Sequence, residues 1–209
     1  HDALPISPDE LEQLSKEDDY TQLLESRTAL LGDKKITLQK HQKRFIEGFL
    51  YSNLKSAIMY HGVGTGKTFS AVGCVKSYLQ IYPQNKVMII TPPALLFNFI
   101  DSMIDYGIDP RDKRFSYYSY VSFTNKKIDT TNSLMIIDEA HNMRTQIEYT
   151  ETDDGKVERI YSGKRPYEAI LRGANAHKVM LMTATPFINK PYDIENLLAI
   201  GDGRVSYNE

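Results

Sequence analysis

Three short stretches carry residue types that could do chemistry together. The first is Gly64-Thr65-Gly66-Lys67-Thr68. Glycines at 64 and 66 permit backbone angles and a close approach that a Cβ would block. Successive N–H groups can then ring an anion at the positive end of a following helix. Lys67 would reach the outer phosphates of a nucleotide, and the Thr68 hydroxyl could ligate magnesium. The full pattern G-x-x-x-x-G-K-[ST] wants a glycine five places before Gly66, where His61 stands. The later residues form the nest, so this departure matters little to phosphate binding.

The second stretch, Asp138-Glu139-Ala140-His141, follows about seventy residues later. A carboxylate at the end of a hydrophobic strand, Asp138, can hold a metal ion and its water shell. Glu139 can face an attacking water as general base, and His141 can contact a neighbouring strand end. The third stretch, Thr183-Ala184-Thr185, ends a strand with two hydroxyls before Pro186. Thr183 and Thr185 could bond His141 or Asp138 and sense the state of the nucleotide. Each stretch alone has a plainer reading: a glycine-rich turn, an acid-enriched helix start, a strand that meets a turn. Their combination points to an ATPase using ATP and Mg²⁺.

Elements that would position these residues are legible around them. Short runs at 56–61, 86–91, 114–121 and 178–186 read as strands, and 133–141 as a strand running into a helix start. Helical patterns fill 68–82, 94–107 and 193–201, and another helix begins near Thr37 with Leu38, Phe45, Ile46, Phe49 and Leu50 at helical spacing. Strands apolar on both faces, alternating with helices, predict an α/β fold with a mostly parallel sheet covered on both sides. In such sheets ligands gather beyond the carboxyl ends of the strands, where all three stretches fall. Residues 1–35 read as a polar helical extension, with Ser7-Pro8-Asp9-Glu10 as a capping box. Residues 146–164 lean acidic around Asp154-Gly155 and read as an exposed insertion, either a hairpin or a disordered loop.

The 209 residues suffice for one sizeable domain, 36–209 after the extension. Lys plus Arg against Asp plus Glu is 25 − 27 = −2, so no global positive charge advertises nucleic acid; a local basic lining would still serve. The single cysteine, Cys74, excludes an intrachain disulfide and suits a reducing, intracellular compartment. No run of about 18 apolar residues suggests a membrane span. A chain that opens at His1 reads as a fragment.

In their order and spacing, "GTGKT", "DEAH" and "TAT" resemble motifs I, II and III of the superfamily 2 helicases and translocases. "TLQKHQ" (37–42) is similar to the stretch in which a glutamine contacts adenine, which implies that role for Gln42. "IITPPALLFNF" resembles motif Ia, which implies nucleic-acid contacts at Pro92, Pro93 and Asn98, with Thr124 in a further contact loop. "LMTATPFINKPYDIENLLAI" is similar to the Swi/Snf-type branch, and Tyr60-His61 to the aromatic-His pair of poxvirus-like ATPases. The resemblance covers about residues 36 to 201. It implies a RecA-like P-loop domain, the first of two such lobes, with the second lobe on a longer chain. It also implies a nucleic-acid partner, DNA before RNA, and a transcription or replication complex. A viral source would place it in the virion or host cytoplasm, another source in the nucleus. Two other functions fit the same loop: an ATPase that remodels a protein, and a nucleotide-binding module without turnover.

Overall fold

Apart from the end residues Lys86, Ser133, Lys178 and Thr183, the segments Lys86–Ile90, Ser133–Ile137 and Lys178–Thr183 are wholly apolar, so neither face of such a strand can be left in water. The computed structural model describes residues 24, 38–60, 66–143, 146–151, 157–162, 164–184 and 192–202. In chain order the elements are α1 (Lys40–Leu50), β1 (Ser56–Tyr60), α2 (Lys67–Ile81), β2 (Lys86–Ile90), α3 (Pro93–Asp105), β3 (Phe115–Tyr118) and α4 (Tyr120–Asn125). They continue with β4 (Ser133–Ile137), a 3₁₀ turn (Ala140–Met143), β5 (Gln146–Glu151), β6 (Val157–Ser162), α5 (Lys164–Asn175), β7 (Lys178–Thr183) and α6 (Tyr192–Asp202).

Five strands pair in the order β1-β7-β4-β2-β3, all parallel. Alternate residues of each strand face opposite ways, and two cores result. Val87, Ile89, Leu134, Ile136, Met180 and Met182 pack with α1, α2 and α3. Met88, Ile90, Met135, Ile137, Val179 and Leu181 pack with α4, α5 and α6. The expected α/β sheet with helices on both faces is the fold observed. Since every strand runs the same way, their carboxyl ends share one edge, and β7 lies between β1 and β4.

The strand expected over 114–121 ends at Tyr118. Ser119 then accepts a hydrogen bond from the Ser122 N–H at 3.2 Å and caps α4. Helix α5 was not legible, because Pro166 and Gly173 interrupt it as helix formers. Proline is tolerated in a first turn, where its missing N–H is no loss. Strands β5 and β6 pair antiparallel, residues 146–151 with 157–162, as the hairpin reading expects and a disordered loop would not. Its expected turn, Asp154-Gly155, lies outside the described residues, as does the extension apart from Leu24. Leu24 is helical and packs, partly buried, against the core that α1, α2 and α3 share with the sheet.

Two contacts fix how the helices are held. Gly173 of α5 lies so close to α6 that a Cβ there would stand 2.2 Å from the Ile200 carbonyl oxygen. Lys178, which opens β7, is 5% exposed and donates to the carbonyls of Phe49, Ser52 and Leu54 at 3.0, 3.2 and 2.7 Å. Its ammonium also lies 5.0 Å from the Phe49 ring centroid. A cation at the end of α1 suits the negative pole of that helix. Burial holds its pKa below the ordinary lysine value, so the unfolded chain binds more protons just below that value and stability should rise with pH there. Lys178→Met should remove that pH dependence. It should also destabilise the fold by about 1–2 kcal/mol, since three carbonyls lose their donor while the cost of burying an ammonium is relieved. Urea unfolding across pH 8 to 10.5 would measure both.

Candidate active site

Asp138 is the first residue past β4. The Asp138 N–H donates to the Ile90 carbonyl at 2.8 Å, which carries the ladder one step beyond the strand. Its side chain is 8% exposed. One carboxylate oxygen accepts from the Thr91 hydroxyl at 3.2 Å, the other from the Glu139 N–H at 2.9 Å. Burial, and then the neighbouring Glu139 charge, raise the Asp138 pKa above the usual carboxylate value; Thr91 and Lys67 act in the opposite sense. The chain then turns sharply. Glu139 has φ +46°, a left-handed conformation rare for a residue with a long side chain. His141 follows in the 3₁₀ turn. Its Nδ1 lies 3.1 Å from the Thr183 hydroxyl oxygen and 3.2 Å from a Glu139 carboxylate oxygen. The expected contact between His141 and the end of a neighbouring strand is therefore present, and it is made through β7.

The start of α2 faces this turn from across β7. Gly66 has φ +79° and precedes the helix, and its carbonyl accepts the first intrahelical bond from the Ser70 N–H at 3.0 Å. Gln42 sits beneath it, 7% exposed, accepting from the Gln39 N–H at 2.8 Å and donating to the Gly66 carbonyl at 3.4 Å. A Cβ on Gly66 would come within 3.1 Å of that Gln42 amide nitrogen and would need a backbone that L side chains rarely adopt. Lys67 and Thr68 occupy the first turn, half-buried, with Lys67 near enough to Asp138 to favour its charged form. Gly64, Thr65 and His61, like Thr185, lie outside the described residues.

These residues suit a magnesium nucleotide. A hydroxyl and one carboxylate are hard oxygen donors of the number that magnesium takes from protein when phosphates supply the rest. Among the described residues no group of three or more His, Cys, Asp or Glu could hold a metal by itself. Asp138 is also poised for a cation, since its carboxylate is buried and its charge is incompletely compensated. Without a nucleotide that burial is a cost: a folded-state pKa above the unfolded value means stability is lost as pH rises through the folded pKa. Asp138→Asn should therefore raise the melting temperature of the protein at pH 7 by a few degrees, on the order of 1 kcal/mol. Thermal unfolding at pH 5 and 7 would check the sign, the difference between the two proteins being larger at pH 7.

The sequence pointed to the carboxylates but missed two residues that hold them, Thr91 and Tyr120. Tyr120 donates through its hydroxyl to the carbonyls of Asp138 and Glu139 at 2.6 and 3.2 Å. Both lie just beyond a strand's carboxyl end, which was the available signal.

Of the residues expected to touch nucleic acid, Pro92 and Pro93 start α3 and are half-buried, and Asn98 is exposed on that helix. Thr124 lies in α4 rather than in a loop, 9% exposed, its hydroxyl donating to the Tyr120 carbonyl at 2.7 Å. The basic stretch 111–114 is partly neutralised within its own loop, Arg111 pairing with Asp109 at 2.9 Å and Arg114 with Asp112 at 2.6 Å. Among the described residues no helix is long and apolar enough to cross a membrane.

No protein-family model matches the chain. A protein of Acanthamoeba polyphaga mimivirus named for an ATP-dependent RNA helicase, L538, is 33% identical over 175 residues, which is 82% of this chain and 34% of that protein. A second mimivirus protein of that naming, R563, is 29% identical across 67% of this chain and 28% of its own length. Nucleoside triphosphatase I of Choristoneura biennis entomopoxvirus is 25% identical across 81% of this chain and 28% of its length. The chain thus spans about a third of the curated relatives it matches. Among solved structures, the Sulfolobus solfataricus SWI2/SNF2 ATPase core in complex with dsDNA superposes with a TM-score of 0.60 at 13% identity. That match covers 83% of this chain and 37% of the other. The chain therefore has a Swi2/Snf2-like ATPase/helicase fold, of which it forms a RecA-like lobe.

Proposed function

We propose that this chain is the ATP-binding first lobe of a nucleic-acid-dependent ATPase that couples hydrolysis to movement along DNA. The observation that carries the reading is the Asp138-Glu139 turn, held across β7 from the start of α2 and joined to β7 through His141 and Thr183. The amino end of α2 and Lys67 bind and orient the phosphates of ATP. Gln42, resting on Gly66, would sense the base. Thr68 and Asp138 would hold magnesium, which, when bound, offsets the negative charge on the phosphoryl group in transfer. Glu139 orients the attacking water and takes its proton. His141 and Thr183 relay the state of that carboxylate to β7. Pro92, Pro93, Asn98 and Thr124 are the proposed nucleic-acid contacts, and Thr185 would join Thr183 in coupling.

Arginines from a second RecA-like lobe, on the longer protein, would complete the site and could add orders of magnitude in rate. The three viral relatives support a viral source, with action in the virion or host cytoplasm and a place in transcription or replication. The dsDNA in the SWI2/SNF2 complex supports a duplex DNA track, and the names of the two mimivirus relatives support RNA as the second reading. ATP hydrolysis by the full-length protein, with duplex DNA, single-stranded DNA or RNA, decides between them. Stimulation by duplex DNA is expected. Stimulation by RNA alone would select the second reading, and none by any nucleic acid would transfer the proposal to an ATPase that acts on protein.

A further inference from the structure

Glu139 and Asn132 are the non-glycine residues with positive φ among the described residues. Asparagine adopts that conformation readily, but for glutamate it costs about 1 kcal/mol or more, and surrounding contacts must hold it. The contacts at Glu139 are specific. The Asp138 carbonyl belongs to the peptide before the Glu139 Cα, and the Glu139 carbonyl to the peptide after it. The Tyr120 hydroxyl donates to both, at 2.6 and 3.2 Å. The first of these peptides is also gripped at its other side, where the Glu139 N–H donates to the Asp138 carboxylate at 2.9 Å. Fixing both peptide planes fixes φ and ψ of the residue between them.

We propose that Tyr120 is a positioning residue for Glu139, through which helix α4 sets the aim of the general base. This rests on the function proposed above for Glu139. Tyr120 is the first residue of α4, directly behind the Ser119 cap, so its ring moves with that helix. The Arg165 guanidinium carbon lies 5.8 Å from the ring centroid, and Arg165 donates to the Asn142 carbonyl at 3.4 Å, so ring and turn share a neighbour. Thr91, directly before Pro92, makes a parallel tie to the Asp138 carboxylate. Segments beyond both β2 and β3 are thus bonded to one turn, one through a carboxylate and the other through two carbonyls. A ligand that shifts α4 by a few tenths of an ångström would act on Glu139 without touching it.

The test compares Tyr120→Phe with Tyr117→Phe in the full-length protein. Tyr117 is also buried, and its hydroxyl donates to the Pro110 carbonyl at 2.7 Å, away from the turn. Tyr120→Phe should lower kcat about tenfold or more with the KM for ATP unchanged. It should also speed amide hydrogen exchange over residues 139–143. Tyr117→Phe should lower the melting temperature alone. Exchange at the turn that is the same in Tyr120→Phe as in the wild type would overturn the proposal. So would a kcat loss that Tyr117→Phe reproduces. The exchange measurement needs no catalysis, so it decides the positioning role even if the full-length protein fails to hydrolyse ATP, a result that would instead sink the function proposed for Glu139.

Discussion

Glu139→Gln in the full-length protein should lose about 10²–10⁴-fold in ATP turnover and keep its affinity for the nucleotide. The substitution keeps the length and shape of the side chain, and an amide can still accept from His141. It removes only the capacity to take a proton. The turn should survive because its shape rests on Tyr120 and on the Asp138 carboxylate, whose hydrogen bonds here are to backbone groups of the turn. Equilibrium binding of a fluorescent ATP analogue, beside steady-state hydrolysis, separates the two quantities. A fall in binding that matches the fall in turnover would remove Glu139 from the chemistry and make it a structural residue. Retained turnover would leave Asp138 or a group outside the described residues as the base.

Gly173→Ala should destabilise the fold by about 3 kcal/mol, since a Cβ there makes the closest approach of any at the described glycines. Two terms oppose each other. Alanine is the better helix former by roughly 1 kcal/mol. Against that, the new methyl would stand 2.2 Å from the Ile200 carbonyl oxygen, a backbone atom that cannot rotate away. Helices α5 and α6 would have to part by about an ångström, and Ala169, Ile170, Leu197 and Ile200 would lose contact along the seam. Packing wins. Urea unfolding reads the loss directly; a change below 1 kcal/mol would mean that α6 can slide and that the close approach is incidental. Since about 3 kcal/mol is a large share of a typical domain's stability, expression of this variant should also suffer.

What the sequence revealed, and what it hid, follows from how each feature is encoded. The strands at 86–90, 133–137 and 178–183 are legible because a strand buried on both faces needs an unbroken apolar run, and little else in a soluble chain has one. The carboxylates at 138 and 139 stand out because they end such a run. Helix α5 stayed hidden because its stability comes from tertiary contact: Gly173 weakens it as an isolated helix and is what lets it meet α6. Tyr120 and Thr91 stayed hidden for another reason. Neither residue type implies chemistry, and their partners, 18 and 47 positions away, become neighbours only when the parallel sheet sets three strand ends side by side. Thr124 marks the opposite limit, where the right neighbourhood was read but the segment proved to be a helix.

The β5–β6 hairpin has a consequence for engineering. It interrupts the crossover between β4 and β7, two strands that are hydrogen-bonded neighbours in the sheet. The register between those strands is set by their own ladder and by α5, so the crossover has only to return the chain to α5. Extra length in such a connection adds loop-closure entropy that grows only with the logarithm of its length. Residues 146–162 are therefore a natural port: a fluorescent label or a tethering tag could replace the hairpin there and travel with the lobe.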